Sequence, residues 1–415
     1  MKRRILIGGL ALAVVLCAIV VVGLKIAAPA FDDSDLKPNF GNVSSNENGF
    51  ALLEKASAAV YCPSNQESQI IDLSGSFDTT SLLFQQVLAS NQVAIALFLE
   101  VAKSKFIRVA AEGEWGEEYP SYLLKWRHLS QISRLRSTDL FQIGREEEGL
   151  AVAMNIVQIG HLMENCGGDL IHFQVGSAVK SVGLGQMKKL VENSKLPRDR
   201  LIDQIVRLES FRVNAAGLSN SFKVEYQQIA RRLEGAAKGQ VPGISPSDVR
   251  LPGWSLFFSA SRSKQKFAEA TRISLAFVPE RYVDMKFERF PQARTNVAAV
   301  LKGNAVGEIV YDLQHSVPKH LLEHKCRDEA SVIATQILIA LRCYQLKHGI
   351  LPDNLSELSP TYLAKEPFDP FDGKPFRYSR EKKLIWSVGA DLIDSGGRKF
   401  GVRKESLDIV FEINF

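Results

Sequence analysis

The sequence has little of what covalent or metal-bound scaffolds need. Five cysteines in 415 residues cannot staple a disulfide framework, and the seven histidines are scattered. No sign of charge dominates: 51 basic against 46 acidic side chains leave +5, too mild a surplus to mark a nucleic-acid binder. G-x-S-x-G, the phosphate loop and G-x-G-x-x-G are all absent, so no serine hydrolase, P-loop or dinucleotide site is written in the chain. Only one apolar run is long enough to cross a bilayer, which excludes a multi-span transporter. The rest is an ordinary globular composition, 46% apolar and 23% charged, at a length that suits two or three domains.

The apolar run comes first. Met1-Lys2-Arg3-Arg4 is basic, and Ile5 to Leu24 follows as twenty residues without a charge. At about 1.5 Å per residue that helix is about 30 Å long, the thickness of a hydrocarbon core. Lys25 and then Asp32, Asp33 and Asp35 follow it. The positive-inside rule puts the N-terminus in the cytoplasm and the body outside, as a single-pass protein of the inner (cytoplasmic) membrane. The alternative is a signal peptide cut at Ala28-Pro29-Ala30, giving a secreted or periplasmic protein. Its apolar region would exceed the usual length of about 7–15 residues. Leu16 before Cys17 is not the small residue that lipoprotein processing wants. The expected partners are the membrane, through residues 5–24, and proteins that no motif identifies; nucleic acid is not expected.

Residues 31–48 are polar and turn-rich and read as a linker. From 49 to 326 apolar residues recur at helical spacing, as at Leu123, Leu124, Trp126, Leu129, Ile132 and Leu135. Further helices are expected over 146–163, 171–191, 198–213, 222–233 and 254–277. Pro197 suits a first turn, and Asn304-Ala305-Val306-Gly307 suits the start of a short helix. Gly183-Leu184-Gly185 reads as close helix packing rather than a phosphate cradle. Short breaks such as Gly167-Gly168 favour antiparallel neighbours, hence a helical bundle or an array of helical hairpins. The acidic runs 112–118 and 146–148 read as solvated surface, and Trp115 as a loop aromatic.

The last region, 327–415, is expected to be a small α+β domain. Asp328 to His348 is a strong helix stopped by Gly349. Asp369-Pro370-Phe371-Asp372-Gly373 marks tight turns. Short strands are expected over 376–379, 384–388 and 407–415. The fold class is therefore mainly α: a transmembrane helix, a helical middle and a small α+β tail.

Three stretches of that tail carry a resemblance. Ala340-Leu341-Arg342-Cys343-Tyr344-Gln345-Leu346-Lys347-His348-Gly349 resembles the end of the long helix in the major pseudopilin of type II secretion. Asp369-Pro370-Phe371-Asp372-Gly373-Lys374-Pro375-Phe376-Arg377-Tyr378 is similar to that family's Asp-Pro-Trp-Gly-x-Pro-Tyr-x-Tyr turn. Trp386-Ser387-Val388-Gly389-Ala390-Asp391 is similar to its Tyr-Ser-x-Gly-Ala-Asp loop. Order and spacing agree over roughly a fifth of the chain. The order of anchor, helical middle and such a tail also resembles a group of uncharacterised bacterial single-pass membrane proteins. Gly49-Phe50 with Glu54 resembles a prepilin cleavage site, but the long apolar helix lies upstream of it, so an ordinary helix start is expected there.

The resemblance implies calcium, which the family binds in the loop after Gly-Ala-Asp. Asp391 matches the motif; Asp394 and Asp408 fall where further acids would stand, and Ser387 and Val388 could lend carbonyls. Arg398, Lys399, Arg403 and Lys404 in the same loop repel a cation, so a metal-free loop closed by its own hydrogen bonds is the competing expectation.

A second candidate centre is His320-Leu321-Leu322-Glu323-His324, which fits H-x-x-E-H. Four residues apart on a helix, His320 and His324 share a face and could hold zinc, with Glu323 as general base. A third ligand is missing: Glu381 and Glu405 are the only glutamates in range downstream, and neither sits in a helical motif. Pro318 puts the motif in a first turn, and Cys326 and His315 nearby could make an adventitious site. Cys326 and Cys343 cannot pair if one helix joins them, being about 25 Å apart.

The reading expected from the sequence is a non-enzymatic, membrane-anchored scaffold or binding protein. The alternatives are a membrane-anchored zinc hydrolase and a component of a type II secretion or pilus-like assembly.

Overall fold

Apolar residues spaced three and four apart become helices along most of the chain. The computed structural model describes residues 31–40, 47–63, 69–70, 72, 79–109, 121–237, 258–293, 304–314, 317–398 and 408–415. The run Ile5–Leu24, Trp115, His315, Glu405 and the loop cations Lys399, Arg403 and Lys404 lie outside them. The fold is mainly helical with a three-stranded sheet. In chain order the helices are α1 (Phe50–Ala59), α2 (Leu82–Ser90), α3 (Gln92–Glu100), α4 (Tyr122–Gln142), α5 (Glu146–Glu164), α6 (Leu170–Asn193), α7 (Arg198–Glu209) and α8 (Ala215–Ala237). Then follow α9 (Ala260–Phe277), α10 (Ala305–Gln314) and α11 (Val317–His348). The strands are β1 (Arg377–Ser379), β2 (Leu384–Ser387) and β3 (Ile409–Glu412).

Contacts divide the chain into two units: Met1–Asn39 with Phe222–Val278 and Lys286–Leu321, and Phe40–Ser221 with Pro279–Met285 and Leu322–Phe415. No boundary falls at 326. In the second unit one core contains Leu150 and Met154 of α5, Leu184 of α6, Leu201 of α7, Ile333 and Ile337 of α11, and Ile385, Phe411 and Ile413 of the tail. Each such side chain contributes about 2 kcal/mol on leaving water, so body and tail stabilise each other.

Local chemistry sets the element ends. Glu146, Glu147 and Glu148 occupy the first turn of α5, where the helix dipole favours acids. Asp169 caps α6 by accepting from the backbone of Ile171 at 3.0 Å and His172 at 3.2 Å. Gly349, at φ +75°, ends α11 in the left-handed conformation that glycine adopts without strain. Helices α5 and α6 approach through glycines: a Cβ at Gly160 would lie 2.3 Å from the backbone nitrogen of Lys180, and one at Gly183 2.7 Å from that of Val157. Gly183 is thus the close-packing residue expected, while Gly185 faces open space.

The sheet runs β1-β2-β3, antiparallel throughout, with Tyr378 opposite Ile385 and Ile385 opposite Phe411. The three strands lie within the stretches the sequence pattern marked, the last being shorter than the 407–415 expected. Helix α11 starts eleven residues before the Asp328 expected, because Pro318 is tolerated in a first turn and Leu321 and Leu322 are already buried.

In the first unit, the start of the stretch expected as a linker is held by side chains of α8 and α9. Tyr226 donates to Asp33 at 2.7 Å, and the Arg272 guanidinium reaches Asp35 at 2.6 and 2.8 Å and the carbonyl of Asp32 at 2.9 Å. Charge pairing and the fully buried Leu36 together dock this stretch. Helix α10 packs on α9 through Tyr311 against Phe267, ring centres 5.2 Å apart. Among the described residues no single helix is long and apolar enough to cross a membrane. Cys166, Cys326 and Cys343 are buried free thiols, the last two on α11, and Cys62 is half-buried.

Candidate functional site

The tail motifs meet at one carboxylate. Asp369 is buried, and its Oδ1 accepts from the backbone of Phe371 at 2.9 Å and the hydroxyl of Ser387 at 2.8 Å. Its Oδ2 accepts from the backbone of Val388 at 2.9 Å and the Arg377 guanidinium at 3.2 Å. The Asp-Pro turn and the Ser-Val-Gly-Ala-Asp loop are therefore one structure. Burial pushes the Asp369 carboxyl up, its hydrogen bonds oppose this, and neighbouring Asp372 adds to it. Arg377 also pairs with Asp372 and stands 3.6 Å from Asp394.

The proposed calcium ligands are engaged by their own loop. Asp391 accepts from the backbone of Ile393 at 3.2 Å. Asp394 accepts from the Trp386 indole and the backbone of Gly396, each at 2.9 Å. Asp408 accepts from the backbone of Gly397 at 2.9 Å and Ser395 at 3.4 Å. Burial, with some help from Asp394 and Asp391, pushes Asp408 up; burial also works against Asp394, but Trp386, Gly396 and Arg377 hold it below the usual range. Each of the three carboxylates thus accepts hydrogen bonds from its own loop, and the Arg377 charge stands beside Asp394.

His320, Glu323 and His324 stand on the first turns of α11. Both histidines are exposed, and Glu323 is paired with Arg327 at 3.2 Å. Glu381 lies exposed in the β1–β2 turn. Among the described residues no three His, Cys, Asp or Glu side chains are grouped to hold a metal ion.

Two polar networks escaped sequence reasoning. His172 Nδ1 contacts Asp169 at 2.8 Å and its Nε2 contacts the Tyr122 hydroxyl at 3.0 Å, a tyrosine–histidine–aspartate chain. A nucleophilic hydroxyl needs a lowered pKa, but burial first, then the nearby Cys166 and Asp169, push Tyr122 up. The chain ties α4 to the α6 N-terminus. The Gly167-Gly168-Asp169 signal of a capped helix could have pointed to it. The second network is a charged cluster buried between α5, α6 and α11. Lys180 meets Glu164 at 2.5 Å, His161 is 3.5 Å from Glu164, and Ser177 donates to Asp328. The Lys180–Glu164 approach is a charge contact without hydrogen-bond geometry. Burial pushes Asp328 up to about 6, against the attraction of Lys180.

The remaining feature is a cleft of about 760 Å³ wholly within the second unit. Helices α7 and α11 and the 362–373 turn form its walls. Its floor is Ile205, Ile333, Ile337 and Leu363, and exposed Val206 and Phe368 line its rim. At the mouth Arg212 lies 3.0 Å from Glu209 and 3.9 Å from Glu329, while Arg281 pairs with Asp284 at 2.7 Å. Tyr362 lines the cleft, and its buried hydroxyl has no hydrogen-bond partner among the described residues. No sequence motif announces the cleft, since three distant segments build it.

Comparison of the chain with protein-family models, with curated proteins and with solved structures finds no match.

Proposed function

We propose that the chain is a membrane-anchored, extracytoplasmic binding scaffold that performs no covalent chemistry and receives its partner in the cleft beside the tail. The cleft carries this reading. Its volume lies within the roughly 300–1,000 Å³ of ligand pockets, its floor is apolar, and a few charged groups at the mouth can orient what enters. The groups able to do chemistry support it from the other side. The histidine pair is solvent-exposed, with no third ligand grouped beside it among the described residues, and the half-buried Tyr122 hydroxyl is held in a structural tie. The uncharged run 5–24 behind three basic residues supports the anchor. The pseudopilin resemblance supports a role in assembly rather than catalysis.

The test is site-specific photocrosslinking in the native membrane. A photoreactive residue in place of Phe368 on the full chain is expected to give one discrete adduct, and Ala364→Trp, which fills the cleft from its exposed rim, is expected to abolish it. No adduct, or an adduct indifferent to Ala364→Trp, refutes the cleft as the recognition surface.

A further inference from the structure

Helix α10 carries an apolar face that its own unit does not use. Leu313 is 79% exposed, the most exposed large apolar side chain among the described residues, and Ile309, one turn earlier, is 52% exposed. Val317, 42% exposed, continues the spacing at the start of α11. The opposite face already holds α10 in place: Tyr311 packs on Phe267, Glu308 pairs with Lys266, and a Cβ at Gly307 would lie 2.0 Å from the Ser263 hydroxyl.

The point at which the chain arrives from the apolar run is fixed on the same unit. Arg272 lies over the Phe31 ring at 5.5 Å and binds Asp32 and Asp35. Between Leu24 and Phe31 stand six residues, 25–30, which reach about 20 Å at full extension. Arg272 and Phe267 are five residues apart on α9, about 7 Å along its axis. A run that spans the bilayer therefore keeps α10 within reach of the headgroups.

We propose that α10 is a second membrane contact, with Ile309 and Leu313 resting in the interfacial layer of the lipid bilayer that holds the N-terminal run. The inference rests on the anchor reading above. Two or three aliphatic side chains do not retain a free protein at a membrane, but a tether makes the encounter intramolecular, and a small apolar face then suffices. Glu308 is neutralised by Lys266, so α10 brings no unpaired charge from that position. Exposed Asp312 on the flank keeps the helix at headgroup depth rather than deeper.

The test uses the full chain with Cys17→Ala and Cys62→Ser, leaving Cys166, Cys326 and Cys343 buried. I309C and L313C are each labelled with an environment-sensitive fluorophore and reconstituted into vesicles of phosphatidylethanolamine and phosphatidylglycerol. The expected result is blue-shifted emission at both positions, quenched severalfold by lipids bearing a nitroxide near the headgroup. Emission as in water, from protein that floats with the vesicles, overturns the inference and leaves the anchor intact. A blue shift that nitroxide lipid does not quench also overturns it, by showing that a second copy or the apolar run covers the face. Protein that fails to float with vesicles refutes the anchor reading itself.

Discussion

Asp328 offers the sharpest quantitative check on the structure. Burial lifts its pKa from 3.8 to about 6, although Lys180 attracts the charged form. A carboxyl whose folded pKa is raised binds its proton more tightly in the native state. Its contribution to stability is fully present below the unfolded pKa and is lost as pH rises through the folded one. Just over two units at about 1.4 kcal/mol each make the full effect about 3 kcal/mol. Between pH 4.5 and 7.5 about 2 kcal/mol of it is expressed, because the unfolded carboxyl is already partly ionised at the lower pH. Asp328→Asn keeps an oxygen for the Ser177 hydroxyl and removes the titration. Urea denaturation of both proteins at the two pH values isolates this group by double difference. The advantage of the variant over wild type is expected to grow by about 2 kcal/mol from pH 4.5 to 7.5. An advantage that stays constant, or shrinks, as pH rises refutes the placement of Asp328 in a desolvated cluster.

Asp369→Asn keeps one acceptor but turns an amide toward the Val388 N–H and Arg377. Loss of about 3–5 kcal/mol in equilibrium unfolding is expected, and a change below about 1 kcal/mol contradicts the four-bond hub. Gly160→Leu forces a side chain into the Lys180 backbone, so a fall in stability of about 3 kcal/mol or more is expected; a thermal melt at the wild-type temperature contradicts the close packing of α5 on α6. Elemental analysis of the untagged full chain is expected to find zinc below stoichiometry, with no further loss in His320→Ala or His324→Ala; one zinc per chain lost in both variants restores the hydrolase. Calcium and EGTA are expected to give the same melting temperature, since Asp391, Asp394 and Asp408 are already bonded within the loop; an EGTA-sensitive melt restores calcium.

Periodicity was informative wherever one helix or strand decides its own fate. The apolar spacing of α4 to α7 and the punctuation at Gly349 are local signals, and so are the three short strands. Pairings across long separations left no such mark. Glu164, Lys180 and Asp328 each read as polar positions on separate helices, and only packing reveals that they share a dry space. The Asp369 motif was visible as a turn, but its role as a buried acceptor depends on Ser387 and Val388 arriving from another strand. The acids of 31–35 read as a solvated linker because their partners, Tyr226 and Arg272, lie far along the chain. The cleft depends on side chains from α7, α11 and the 362–373 turn, and none of those segments is unusual alone.

The shared core places a constraint on biosynthesis. Phe411 and Ile413 belong to the same core as Leu150 and Leu184, so that core is complete only once they have been made, and Asn414 bonds to Glu192 of α6 at 2.9 Å. Residues 411–414 thus act as a closing stitch for helices synthesised more than two hundred residues earlier. A chain that stops before residue 409 would leave that seam open to proteases.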